Sequence, residues 1–242
     1  MKKLINGLLR PTGYQIKPIK FLDLEIKRRL KIVNHFNINV LFDVGANTGQ
    51  YAGEMRAFGY QGKIISFEPL LKTFEKLKAN ASSDSNWTVN NFALGSEDTQ
   101  GVINVAGNTD SSSILNMMPE HVKTAPETQY VGQQEITIKK LDSIFSDYCK
   151  KGDRVMVKLD TQGYEESILK GAIKSLPEII IIQLEMSLVP LYENEMLYLD
   201  MINNLKSKGF SLYSIENGFA NSKTGKLLQV DGIFVNDAYA DK

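Results

Sequence analysis

The chain reads as one α/β domain in which helices cover both faces of a mostly parallel sheet that ends in an antiparallel member. Three observations predict this. Strand-like and helix-like segments alternate from about residue 39 onward. The stretch from Glu178 to Glu185 is the most continuous apolar run, as expected of a central strand buried on both faces. A glycine turn from Asp43 to Gly49 falls between the first strand and the helix after it, where open α/β sheets place their ligands.

Residues 1–18 carry Gly7, Pro11, Gly13 and Pro18 without a clean period and read as an arm. Leu22, Ile26, Leu30 and Val33 then recur at helical spacing over about 20–35. The first strand covers 39–44, and a helix over 49–58 follows, with Gly59 suited to end it. A second strand at 63–68 stops at Pro69, a helix spans 71–79, and a third strand covers 87–93. Segments 101–106 and 134–139 read as extra strands around a long polar stretch, 107–133. A helix over 141–149 precedes a fourth strand at 154–160, a helix at 164–172 and the apolar fifth strand at 178–185. After a last helix at 199–208, segments 210–215 and 229–235 pair as a hairpin, which supplies the antiparallel member. The expected organisation is a basic arm and amphipathic helix over 1–36 and the α/β domain over 37–242, with no repeat or linker.

With 242 residues the chain can bury a substantial single core. One cysteine, Cys149, excludes an internal disulfide, and two histidines leave almost nothing for a structural zinc site. The apolar stretch after Met1-Lys2-Lys3 is broken by Asn6, Gly7 and Arg10, too short and polar for a signal peptide or a membrane span, so cytoplasmic is the default compartment. The net charge of +0 conceals an asymmetry: residues 1–31 hold nine Lys and Arg against Asp23 and Glu25. Such an arm suits peripheral contact with the anionic inner membrane surface, or is simply a solvated leader.

Gly45 and Gly49 let the backbone turn tightly and approach a ligand without a Cβ in the way. The spacing is Gly-x-x-x-Gly, not the Gly-x-Gly-x-x-Gly of a dinucleotide site, and Asp43 precedes it. An acid there repels pyrophosphate but accepts hydrogen bonds from an ammonium group, which favours S-adenosylmethionine (SAM) over NAD. The helix N-terminus would offer unpaired amides to a carboxylate. Glu68, ending the second strand, is placed to accept both ribose hydroxyls.

These residues carry a resemblance. Leu41 to Tyr51, Ile65 to Pro69, Asn91 to Gly95, Ser111 to Ser113, Val157 to Glu165 and Gln229 to Val235 occur in the order found in the FkbM family of SAM-dependent methyltransferases. The resemblance covers about residues 39–236. It implies a class I methyltransferase fold: a Rossmann-like three-layer sandwich about a seven-stranded, mostly parallel sheet whose last strand is antiparallel. It also implies methyl transfer to a hydroxyl of a sugar, glycan or secondary metabolite. The expected cofactor contacts are Asp43, Gly45, Asn47, Gly49, Gln50, Tyr51, Glu68 and Pro69, with Asn91 and Ala93 near the adenine, and Ser112 and Asp160. Tyr164 departs from the smaller residue that relatives often carry after the glycine.

An alcohol is a poor nucleophile at neutral pH, so a base should stand near it. Period-two alternation puts Lys158 and Asp160 on one side of the fourth strand, and Glu185 ends the strand beside it. A lysine between carboxylates is held charged and keeps them ionised. Asp160 is the first choice for touching the methionine part of SAM or the acceptor. Glu165 and Glu185 are next for orienting or deprotonating it, although Glu165 also suits a helix first turn. His121, in the polar stretch, is a candidate base in a lid, or an exposed loop histidine. Asp231 either caps the hairpin or reaches the site. No metal is assigned, because the spacing of the acids demands none. A NAD-dependent oxidoreductase and a catalytically inactive SAM-binding module remain competing readings. The net acidic core and the lack of an Asn/Asp-Pro-Pro-Tyr/Phe motif count against a nucleic-acid acceptor.

Overall fold

A computed structural model describes residues 25–240 together with Pro11. The basic arm and the start of the leading helix lie outside the described residues. Helix α1 (Glu25–His35) precedes β1 (Val40–Val44), α2 (Gln50–Ala57), β2 (Lys63–Phe67), α3 (Leu71–Ala81) and β3 (Trp87–Asn90). Next come β4 (Ala93–Leu94), β5 (Thr99–Ala106), α4 (Pro119–Thr124), β6 (Tyr130–Lys139) and α5 (Leu141–Tyr148). The chain closes with β7 (Val155–Leu159), α6 (Glu165–Lys170), β8 (Ile179–Ser187), α7 (Tyr198–Ser207), β9 (Phe210–Asn217) and β10 (Gln229–Asn236).

Seven strands form the main sheet in the order β3-β2-β1-β7-β8-β10-β9. β10 runs antiparallel to both of its neighbours, and the other pairings are parallel. This is the class I methyltransferase topology. The connectivity reverses between β1 and β7, so the crevice opens beyond their carboxyl ends.

Alternation along each strand divides the core in two. Phe42, Val157, Ile182, Leu184 and Phe234 face one helical layer, where Phe42 stacks between Phe67 and Phe145. Leu41, Met156, Ile181 and Ile233 face the other, under Ile26, Leu30 and Val33 of α1. On this second face the pattern changes toward the carboxyl ends. The residues two further on in β1, β7 and β8 are Asp43, Lys158 and Gln183, followed by Glu185, and Asp231 precedes Ile233 in β10. One face of the sheet thus passes from apolar core to polar floor within one turn of the pleat. α1 is fastened to the sheet edge where Glu25 accepts from the Asn217 amide at 2.9 Å.

The expected third strand divides. Asn91 leaves the main sheet and donates to the Glu68 and Pro69 carbonyls at 2.9 and 3.0 Å, and the chain re-pairs as β4 in a second sheet, β4-β6-β5. Leu70, Ala93, Ile103, Ile136 and Ile138 form a small core beneath this sheet. The polar stretch does not run loose: it carries α4 and packs through Met117 and His121 against Tyr192. Among the described residues no helix is long and apolar enough to cross a membrane.

Candidate active site

A cavity of about 570 Å³ opens beyond the carboxyl ends of β1, β2, β7 and β8 and beside the amino end of the antiparallel β10. The turn at Gly45 forms its near wall. Gly45 has φ +73°, and a Cβ there would stand 1.9 Å from the Asp160 carbonyl oxygen. Gly49 has φ +90°, and its Cβ would meet Trp87 and Leu77 at 2.8 and 2.9 Å. Only glycine fits either place. Four amides of the turn before the helix are already engaged, Gly49 donating to the Ala46 carbonyl at 2.8 Å. Gly45 and Ala46 donate to the Phe67 carbonyl at 3.1 and 3.0 Å, and Asn47 donates to Glu68 Oε2 at 3.0 Å.

Glu68 also accepts from the Leu70 amide at 2.8 Å through Oε1. Each oxygen retains lone-pair capacity for a further donor. Burial pushes its carboxyl up to about 7, against the pull of those two amides and Lys158. Leu70, Ala93, Leu94, Ile103 and Ile114 make the adjoining end of the cavity apolar. Asn47 reaches across the opening to Asp110 Oδ1 at 2.6 Å, so the strap of residues 107–128 closes over it. Ser112 lines the cavity while accepting the Ala106 amide at 3.0 Å.

The far end is polar. Lys158 Nζ lies 3.1 Å from Asp160 Oδ2 and 3.6 Å from Asp43 Oδ1. Burial alone would lower its pKa, but the two carboxylates outweigh that and the net shift is upward. The expected ammonium partner of Asp43 is therefore Lys158. Asp43 is fully buried and absent from the cavity wall. Burial pushes its carboxyl up despite Lys158 and a 3.2 Å hydrogen bond from Ser66, so the lysine does not hold it at an ordinary carboxylate value. Tyr51 donates to Gln183 Oε1 at 2.7 Å, with the Arg29 guanidinium 4.7 Å and the Lys158 ammonium 5.2 Å from its ring centroid.

Asp160, Glu185 and Asp231 line this end together. Burial, then Asp160 and Asp231, push the Glu185 carboxyl well above its usual value. Burial and Asp160 push Asp231 up to about 6. Asp231 sits within β10, directly across from Glu185, not at the hairpin tip. Among the described residues no group of three or more His, Cys, Asp or Glu is arranged to hold a metal ion.

Gln50, Tyr51, Pro69 and Tyr164 also line the cavity, but Glu165, His121, Asn91 and Gly49 do not. Glu165 is buried beneath it and accepts from the Thr161 amide and hydroxyl at 2.8 and 3.0 Å, so it holds the loop instead of meeting an acceptor. His121 is neither exposed nor in the cavity. It packs edge-on to Tyr192 at 5.2 Å, and burial lowers it to about 4. Asn91 braces the loop after β2. Arg29, Glu54, Asp110, Gln162 and Gln183 were not singled out from sequence, yet they line the cavity. For Gln183 the signal existed: it shares the period-two row that contains Glu185.

A sequence model of the FkbM methyltransferase domain matches residues 43–212. The chain belongs to the FkbM methyltransferase family. Solved structures of similar shape include an rRNA methylase from Streptococcus thermophilus at 8% identity, covering 89% of this chain and 98% of that one, with a TM-score of 0.48. The METTL16 methyltransferase domain aligns at 10% identity over 98% of this chain and 79% of that one, TM-score 0.46. A precorrin-6y C5,15-methyltransferase from Geobacter metallireducens GS-15 aligns at 14% over 91% and 92%, TM-score 0.42. No curated protein sequence matches the chain closely enough to count as a relative. As a member of the FkbM family the protein is a SAM-dependent methyltransferase. The cavity fits that cofactor: it has an apolar end, a buried acid just past β2 and the backbone of the glycine turn along one wall.

Gly45→Ala should destabilise the protein by about 1–3 kcal/mol or more, because the added Cβ is strained by both φ and the Asp160 carbonyl. Urea unfolding measures this; an unchanged midpoint would show that the turn is not held against β7.

Proposed function

We propose that this protein methylates a hydroxyl oxygen of a small polyhydroxylated acceptor, a sugar, a glycan unit or a hydroxylated secondary metabolite. The observation that carries this reading is the acid-lined end of the cavity, where Asp160, Glu185 and Asp231 face the same space. Carboxylates accept hydrogen bonds from hydroxyl groups and repel phosphates, so this wall suits a sugar-like acceptor and counts against a polyanionic nucleic acid. Gln50, Gln183 and Tyr51 add neutral polar groups there.

Glu68 would hold the ribose hydroxyls of SAM, with the adenine against Leu70, Ala93 and Ile103. Gly45, Asn47, Asp110 and Asp160 would surround the methionine portion. Bound SAM supplies an electrophilic methyl group for in-line displacement. Glu185 is the candidate base. Its Oε2 is held by the Gln162 amide at 2.9 Å, which leaves Oε1 to accept the acceptor's hydroxyl proton. Burial makes this carboxylate a stronger base than an exposed one, and Asp231 beside it would orient a neighbouring hydroxyl. Lys158 keeps the wall from accumulating uncompensated negative charge.

Two outcomes follow. Glu68 binds donors best when ionised, and its folded value is about 7. SAM affinity measured by calorimetry should therefore rise roughly tenfold from about pH 5.5 to about pH 7.5 and then level off. Glu68→Gln should bind at every pH about as weakly as the wild type does near pH 5.5, and so lose that dependence; a flat wild-type profile would remove Glu68 from the cofactor site. Glu185→Gln should lower methyl transfer to a sugar panel by roughly a hundredfold or more while leaving SAM affinity nearly unchanged. Transfer to no hydroxyl in the panel, with labelled methyl appearing on nitrogen or carbon instead, would overturn the O-methylation reading.

A further inference from the structure

Gln162 occupies the centre of the polar wall in a conformation that its sequence neighbours do not require of it. Its backbone lies in the left-handed region at φ +56°, followed by Gly163 at φ +92°. A long side chain stays there only when its surroundings hold it. Here every polar group of the residue's side chain is engaged. Nε2 donates to Asp160 Oδ1 at 3.0 Å and to Glu185 Oε2 at 2.9 Å. Oε1 accepts from the Tyr192 hydroxyl at 2.5 Å. The backbone carbonyl accepts from Ser113 Oγ at 2.7 Å.

The chemistry of these partners fixes which way the amide points. Tyr192 is buried and its hydroxyl is held protonated, first by that burial and then by Glu185. A hydroxyl that donates to Oε1 leaves the NH₂ group facing the two carboxylates. The flipped amide would set a carbonyl oxygen against both acids and lose two charge-assisted hydrogen bonds. The same hydroxyl lies 3.3 Å from the Ser111 carbonyl. Ser111 and Ser113 belong to the strap that carries Asp110 and Ser112 over the cavity. One glutamine therefore joins the strap on one side to the acid pair on the other.

We propose that Gln162 is a positioning residue that keeps the Glu185 carboxylate ionised and aimed into the cavity, with Tyr192 and Ser113 linking that state to the closed strap. The proposal rests on the reading of Glu185 as the group that faces the acceptor. The charges around Glu185 are Asp160 at the end of β7, Asp231 on β10 and Glu165 on α6, opposed by Lys158 on β7. Three negative neighbours against one positive favour a protonated Glu185. The N–H bond from Gln162 to Glu185 Oε2 acts in the other direction.

The test is a pH titration of protein carrying ¹³C-labelled glutamate, following the Glu185 carboxyl signal by NMR. Its assignment comes from its loss in Glu185→Gln. In Gln162→Ala the Glu185 midpoint should rise by about one pH unit, as expected when a hydrogen bond to a buried carboxylate is removed. Tyr192→Phe keeps the buried ring and removes only the hydroxyl, and it should raise the midpoint by a smaller amount in the same direction. Should Gln162→Ala fail to fold, the Tyr192→Phe titration decides the question. Unchanged midpoints would overturn the proposal, since a purely structural glutamine would not move this signal. A shifted midpoint in a protein that methylates no hydroxyl would leave Gln162 standing and overturn the function assigned to Glu185 instead.

Discussion

Lys158 brings an ammonium group into the interior at 5% exposure, and most of the site can be understood as the answer to that charge. An isolated buried charge costs several kcal/mol, so it must meet opposite charge and further hydrogen bonds. Asp43 at the end of β1 and Asp160 just past β7 provide the charge. Asp43 in turn takes the Ser66 hydroxyl, and Ser66 accepts the Trp87 indole N–H at 2.9 Å. β1, β2 and β7 are thereby tied near their carboxyl ends, and β3 through Trp87 at its start, by one polar chain. That chain holds the glycine turn against the Asp160 carbonyl, and so fixes the wall on which the cofactor lies. Asp43, which reads as a cofactor contact in the sequence, acts on the cavity through Lys158.

A second accumulation of charge crosses the other half of the sheet. Glu185, Asp231 and Glu216 lie side by side on β8, β10 and β9, where like charges directly opposite one another destabilise a sheet. Arg29 reaches down from α1 to Glu216 at 2.5 Å and lines the cavity as well. α1 is therefore part of the site, although it precedes the residues matched by the family model. Asp231 likewise lies beyond them. The acid-lined end of the cavity draws on both flanks of the family segment, whereas the turn and Glu68 fall within it.

The sheet, the helices that cover it and the small extra strands were legible because each rests on local periodicity and turn residues, whereas α4 inside the polar stretch was not. The break at Asn91 was not, since it depends on two carbonyls of the loop after β2. Glu68 and Asp160 were legible as acids at strand ends, and Glu185 as an acid late in the apolar strand, which runs on to Ser187. Glu165 and His121 also carry titratable groups, but burial away from the cavity gives them other work, and burial of one residue in a short helix has no local signature. Arg29 and Gln162 were missed for the converse reason. An arginine in a basic helix looks solvated until its helix is docked. A glutamine before a glycine shows its importance only when Tyr192 and two acids converge on it.

A crystal structure with S-adenosylhomocysteine tests the arrangement most directly. The expected result has the ribose hydroxyls on Glu68, the adenine among Leu70, Ala93 and Ile103, and the sulfur facing the space between Asp160, Glu185 and Asp231. A ribose bound away from Glu68, or a sulfur turned from those acids, would contradict the division of the cavity into a cofactor end and a hydroxyl-accepting end.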